Sequence, residues 1–197
     1  MKKQKRGFLR ENYKESLDYI RVSRNFIYSA IIVFLFFFFI GFFIKAPGIL
    51  EERILEFIKE LLKKTAEMSQ SELTSFIFFN NLQSSFMGML FGIIFGIFPI
   101  LTTLVNGYLL GFVAKKTVEE GGIFVLWRLF PHGIFELPAL FISLGLGLKL
   151  GTFIFKKNKL KVLSTYLLKS IKVFFFIVIP LLIIAAIIEG ALIFFLG

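Results

Sequence analysis

The chain has no cysteine, one histidine, one tryptophan and five prolines in 197 residues. Without cysteine, disulfides and thiolate metal sites are excluded. A single histidine does not support a zinc site built on histidine ligands within one chain. Acids are scarce too: 13 Asp and Glu stand against 23 Lys and Arg, a formal net charge of +10. In a soluble protein that balance would raise nucleic acid as a partner. Here the bases flank apolar runs, so they read as topology signals and as contacts to anionic lipid head groups. No polar interval is long enough for a separate soluble catalytic domain. H-E-x-x-H, a nucleophile elbow and a phosphate-cradling loop are all missing, and no Ser/His or Asp/Asp pairing stands out. The expectation is a non-enzymatic chain with no cofactor, no metal and no nucleic-acid partner.

What is present is apolar. Hydrophobic residues make up 57% of the chain, 29 of them Phe, and the mean hydropathy is +0.83. These residues cluster in runs long enough to cross a bilayer. The fold class is an all-α polytopic membrane protein of about five transmembrane helices, two of them short or broken, with added amphipathic interfacial helices.

Residues 1–24 form a basic leader in which Leu9, Tyr13, Leu17 and Ile20 recur at helical spacing, as in a helix lying on the membrane surface. Residues 25–197 form one transmembrane domain. Its first span, Phe26–Ile44, lacks a small-residue cleavage site and reads as retained rather than as a signal peptide. Residues 49–68 form an extramembrane amphipathic helix, and Ser69 to Glu72 is a capping-box pattern that starts a helix running to about Phe98. Gly88, Gly92 and Gly96 give that helix a small-residue strip for close packing, and Gly111 extends the device to the next helix. Pro99 is expected to break it. Ile100–Ala114 would then span only roughly 22 Å at about 1.5 Å per residue, short for a full crossing and compatible with a re-entrant hairpin.

The basic segment 149–172 carries Lys149, Lys156, Lys157, Lys159, Lys161, Lys169 and Lys172 without an acid, and reads as a second surface-lying helix. The final span is Val173–Phe195. Lys and Arg asymmetry puts the leader and the 149–172 segment in the cytoplasm, and the 45–76 segment outside. An odd number of spans then places the N-terminus inside and the C-terminus outside a multi-pass protein of the cell membrane.

Several polar side chains fall at membrane depth: Asn80, Asn81, Asn106, Arg128, His132, Glu136 and Glu189. Groups of that kind normally face protein or a wet cavity. Pro131 removes an amide donor and Gly133 tolerates unusual backbone angles, so Pro131-His132-Gly133 is expected to break its helix. Pro99, Gly107 and Pro138 are further candidate breaks. Two readings stay open: side chains repairing breaks in a packed bundle, or a break lining an ion or substrate pathway. A paired network is expected, in which Arg128 or His132 keeps Glu136 ionised and offsets the cost of burying its charge; without a partner Glu136 would be a protonated hydrogen-bond donor. Glu189 either pairs across the bundle or reaches the outer interface.

The order Asn80-Asn81, glycine-rich helix, Pro99, Asn106-Gly107, Gly111, Pro131-His132-Gly133, Glu136, Pro138, Glu189 resembles the stage II sporulation protein M family. The P-H-G-x-x-E-x-P element is the specific part, and the likeness covers about Phe78–Phe195. The resemblance implies a polytopic protein with no established enzymatic activity. Its sporulation member acts as a membrane anchor for an envelope-remodelling machine, holding partners that include peptidoglycan hydrolases; nothing here extends engulfment to this chain. The leading expectation is thus a membrane scaffold, a homodimer through glycine-lined faces, in contact with other membrane proteins. The alternative is an ion- or proton-coupled channel or transporter using the Asn/His/Glu cluster. A third is a membrane-shaping protein acting through its surface helices.

Overall fold

The computed structural model describes residues 2–124, 126 and 130–196, with side chains over 7–124, 126 and 133–193. Arg128 therefore lies outside the described residues, as do the side chains of Pro131 and His132. The described chain is helical, with helices α1 Lys2–Phe43, α2 Gly48–Thr65, α3 Gln70–Leu90, α4 Ile97–Gly121, α5 Phe130–Gly151, α6 Lys159–Val173 and α7 Ile179–Leu196.

Four stretches are long and apolar enough to cross a bilayer: Gly7–Phe43, Ile97–Gly121, Gly133–Phe155 and Lys159–Ile193. Helix α3 carries Asn80, Asn81, Gln83, Ser84 and Ser85 and is less apolar, yet it packs against both α5 and α7. Phe36, Phe39 and Ile32 of α1 and Ile183, Ile184 and Ile187 of α7 remain exposed, as suits side chains facing lipid.

Glycines set the register between helices. Gly107 sits on the backbone of Phe34 and Gly111 on that of Phe38, so α1 and α4 run in the same direction. Gly145 meets the Ile27 backbone, and the Phe34 and Phe141 rings meet edge-on at 5.0 Å, so α5 runs against α1. Gly88 packs on Leu144 and Gly92 on Gly147, which aligns α3 with α5. Gly190 meets Thr74, and Phe174 meets Phe86 at 5.2 Å, so the α6–α7 rod opposes α3. The result is an up-and-down bundle in which both basic stretches end up together.

Those two stretches are not separate surface helices. Helix α1 is a single rod of 42 residues, roughly 63 Å at about 1.5 Å per residue, twice the thickness of a bilayer core. The last rod, Lys159–Ile193, is 35 residues long. No proline interrupts α1, and the inner parts of the two apolar stripes meet each other, while Leu9, Tyr13 and Leu160 stay exposed. Leu17, Tyr19 and Ile20 of α1 join Leu163, Tyr166 and Leu167 of α6 in one apolar cluster. Lys172 holds Glu15 at 2.6 Å across the same seam. Where Pro180 denies α7 an amide donor, a π-helical turn, Phe174–Val178, absorbs the mismatch.

The expected breaks also move. Pro99 falls in the first turn of α4, where a missing amide hydrogen costs nothing, so it starts a helix instead of ending one. The chain reverses earlier, through the 3₁₀ turn Phe91–Ile93 and the left-handed residues Phe95 (φ 53) and Gly96 (φ 72). Helix α4 then runs for 25 residues, roughly 37 Å, so it is neither short nor re-entrant. It continues past Ala114 because Lys115, Lys116, Glu119 and Glu120 are ordinary helix formers and the first glycines come at Gly121-Gly122. Pro131 and Gly133 likewise lie in the opening turn of α5, while Gly107 and Pro138 sit inside unbroken helices.

An amphipathic helix expected at 49–68 is present with slightly different bounds, and the expected capping box is present. Residues Gly48–Thr65 form the amphipathic helix α2, pinned to α4 by Glu51 and Lys116 at 2.6 Å. That lysine holds the Glu51 carboxyl below the usual carboxylate range. The capping box is closed: the Ser69 amide donates to Glu72 Oε2 at 2.9 Å, and the Ser69 hydroxyl accepts from the Glu72 amide.

The close glycine contacts predict a mutational asymmetry. A Cβ added at Gly111 would meet the Phe38 carbonyl oxygen and lie 3.0 Å from the Phe42 amide nitrogen, whereas one at Gly48 would meet nothing within 4 Å. Gly111→Ala should therefore cost about 1–3 kcal/mol of stability through overpacking. Gly48→Ala should leave thermal unfolding in detergent unchanged.

Candidate functional site

The carboxylates are the polar groups that the bundle brings together. Glu136 stands on the second turn of α5 and Glu189 on α7, two helices packed against each other. Both lie toward the end of the bundle opposite the basic stretches and within electrostatic reach of one another. Glu136 is half-buried. One oxygen of Glu189, Oε2, is fully buried with no hydrogen-bond partner among the described residues. Next to it, Gly190 presses on the Thr74 side chain, so α3 closes this seam. Two carboxylates in apolar surroundings can hold a proton or a small cation between them, or can stay neutral as packing groups.

The asparagines do not join them. Asn106 Nδ2 donates to the Thr102 carbonyl at 2.8 Å, one turn back on its own helix, so it repairs no break. Asn80 is exposed on α3 and Asn81 half-buried. Among the described residues no hydrogen bond links an asparagine to either carboxylate. The expected network is thus divided between the α5–α7 seam and separate positions on α3 and α4. Arg128 and the His132 side chain, the partners expected for Glu136, lie outside the described residues.

The packing glycines do what small residues do, but within one chain. Gly88, Gly92 and Gly96 are covered by α5, and Gly107 and Gly111 by α1. A homodimer would need a different face.

One polar residue escaped the reading of the sequence as a site. Lys149 was grouped with the surface lysines, yet it is 5% exposed. It donates to the Ser23 hydroxyl at 2.9 Å and lies 4.0 Å from the centre of the Tyr19 ring. The signal was its spacing: Lys149 follows Gly145 by four residues, which puts it on the face that packs against α1.

A buried carboxylate oxygen without a donor costs about 1–3 kcal/mol. Glu189→Leu, of similar size, should therefore raise the melting temperature in detergent at neutral pH. A fall of several degrees would mean that the carboxylate is held by a partner.

Neither the curated proteins nor the solved structures yield a match to this chain. The family profile described as stage II sporulation protein M does match, over residues 30–192. That range takes in the membrane half of α1, every later helix up to the last turns of α7, and both carboxylates. The chain belongs to the stage II sporulation protein M family and is a membrane protein.

Proposed function

We propose that this protein is a non-enzymatic scaffold of the cell membrane. Its basic stretches and N-terminus face the cytoplasm and its C-terminus lies outside, in keeping with the positive-inside rule. The bilayer and other membrane proteins are its partners. The observation that carries this reading is the closed centre of the bundle. Met89, Leu144, Leu146, Leu150, Val173, Val178 and Leu182 are almost wholly buried. Between them the α3 and α5 backbones touch at Gly88 and Gly147. A pathway would need polar groups in line from one end to the other, and among the described residues no hydrogen bond joins Glu136 or Glu189 to the buried Ser, Thr and Lys side chains.

The buried Glu189 oxygen favours a second reading, an ion- or proton-coupled route through the α5–α7 seam. Proteoliposomes loaded with a pH-sensitive dye separate the two. The scaffold reading expects proton flux no greater than in protein-free vesicles, with and without an applied potential. Flux that Glu136→Gln abolishes would overturn it. Membrane shaping stays as a third reading: Leu9, Tyr13 and Leu160 are exposed, although Leu17 and Ile20 pack against α6.

A further inference from the structure

At the basic end of the bundle, α1, α5 and α6 line an open groove of about 680 Å³. Three lysines reach it, from α5 (Lys149) and α6 (Lys169 and Lys172), and two acids, Glu15 and Asp18, from α1. The acids are already engaged: Glu15 with Lys172 at 2.6 Å and Asp18 with Arg21 at 3.0 Å. Lys149 and Lys169 have no carboxylate partner among the described residues. Their ammonium groups nonetheless converge on one ring, 4.0 and 5.7 Å from the centre of Tyr19, and Lys149 also lies 5.2 Å from the Tyr166 ring.

That arrangement is incomplete as it stands. Lys149 has three hydrogens to donate and Ser23 takes one of them. The Tyr19 hydroxyl is fully buried next to the Ser170 hydroxyl, so it is the face of the ring and not the hydroxyl that meets the two lysines. Faces of aromatic rings soften the burial of an ammonium group but do not neutralise it. Two like charges on one ring, with donor hydrogens to spare, make a receptor for a compact anion carrying several acceptor oxygens. A phosphate group has that form. The remaining wall is Thr165 and Tyr166 on the α6 side and the apolar Val22 and Phe26 on the α1 side, at the level where α1 passes into its Phe-rich half. The site is much larger than one phosphate and adjoins the depth of lipid head groups, so its occupant carries an apolar part as well.

We propose that this groove binds one anionic phospholipid, its phosphate between Lys149 and Lys169 over the Tyr19 ring, and its glycerol end along Val22 and Phe26. The site is separate from the Glu136–Glu189 seam and does not depend on the scaffold reading. It also differs from a general attraction of basic segments to a charged surface, because the two lysines that matter are held by α5 and α6 against one side chain of α1.

The test uses the full chain in a neutral detergent, titrated with phosphatidylglycerol, phosphatidylcholine and inorganic phosphate, with thermal unfolding and native mass spectrometry as readouts. Phosphatidylglycerol should raise the melting temperature and bind at one molecule per chain, well ahead of phosphatidylcholine. Lys169→Gln, at an exposed position that leaves the core intact, should weaken phosphatidylglycerol roughly tenfold or more, the value of one charge-assisted hydrogen bond. Lys149→Met should do the same where it folds. The double variant Lys157→Gln/Lys161→Gln removes more charge from the same end and should leave the affinity unchanged. Equal binding of the two lipids, or equal losses in the Lys169 and the Lys157/Lys161 variants, would overturn the proposal. Inorganic phosphate binding as tightly as phosphatidylglycerol would overturn the lipid assignment and give the groove to a soluble anion.

Discussion

Lipid tails are as apolar as leucine, so helices in a bilayer gain little by hiding side chains from their solvent and must gain by touching. In this bundle the touching is done by backbone. Gly92 on Gly147, Gly107 on Phe34, Gly111 on Phe38 and Gly145 on Ile27 bring main chains to separations that no Cβ would allow. The rest follows from these points. They fix which helices are neighbours, set the registers that make α1 and α4 run together, and leave the wide Leu and Met side chains to fill the remaining interior. They also use up the small-residue faces that would otherwise be open to a second copy.

The two ends of the bundle handle charge in different ways. At the end near Glu136 and Glu189, two carboxyl groups stand on one pair of packed helices, with a buried oxygen left unserved among the described residues. At the other end, charges of both signs are sorted. Glu15 and Asp18 are taken by Lys172 and Arg21, and the surplus falls on aromatic rings. The first arrangement limits what the seam can hold to a proton or a small cation. The second leaves positive charge without a match, at the depth where negative head groups are found.

Much of this was legible in the residues. The apolar runs announced the helices, and the spacing of Gly88, Gly92 and Gly96 announced a packing face. The Ser69–Glu72 box marked the start of α3 to the residue. What misled was reading punctuation one residue at a time. Proline is a helix breaker in the middle of a helix and a helix starter in its first turn. Pro99 and Pro131 differ from breakers only in where the previous helix stopped, which depends on Phe95 and Gly96 adopting left-handed angles in one case. The amphipathic stripes of α1 and α6 misled for another reason. A stripe says that a face is apolar but not what covers it, and only the tertiary pairing shows that Leu17 and Ile20 meet Leu163 and Leu167 while Leu9, Tyr13 and Leu160 stay exposed. Lys149 was hidden by the same ambiguity, since a lysine among glycines and leucines looks like the edge of a span.

The uninterrupted course of α1 has a mechanical meaning. A helix with no hinge between the basic leader and the opposite end of the bundle is a stiff strut. Glu15 and Lys172 lash it to a second strut at one end, and the Gly107 and Gly111 contacts clamp it along the middle. Helix α4, clamped to it at Phe34 and Phe38, is joined at its own far end to α2 through Glu51 and Lys116. The basic leader and the amphipathic helix α2 are thus the two ends of one continuous run of packed helices.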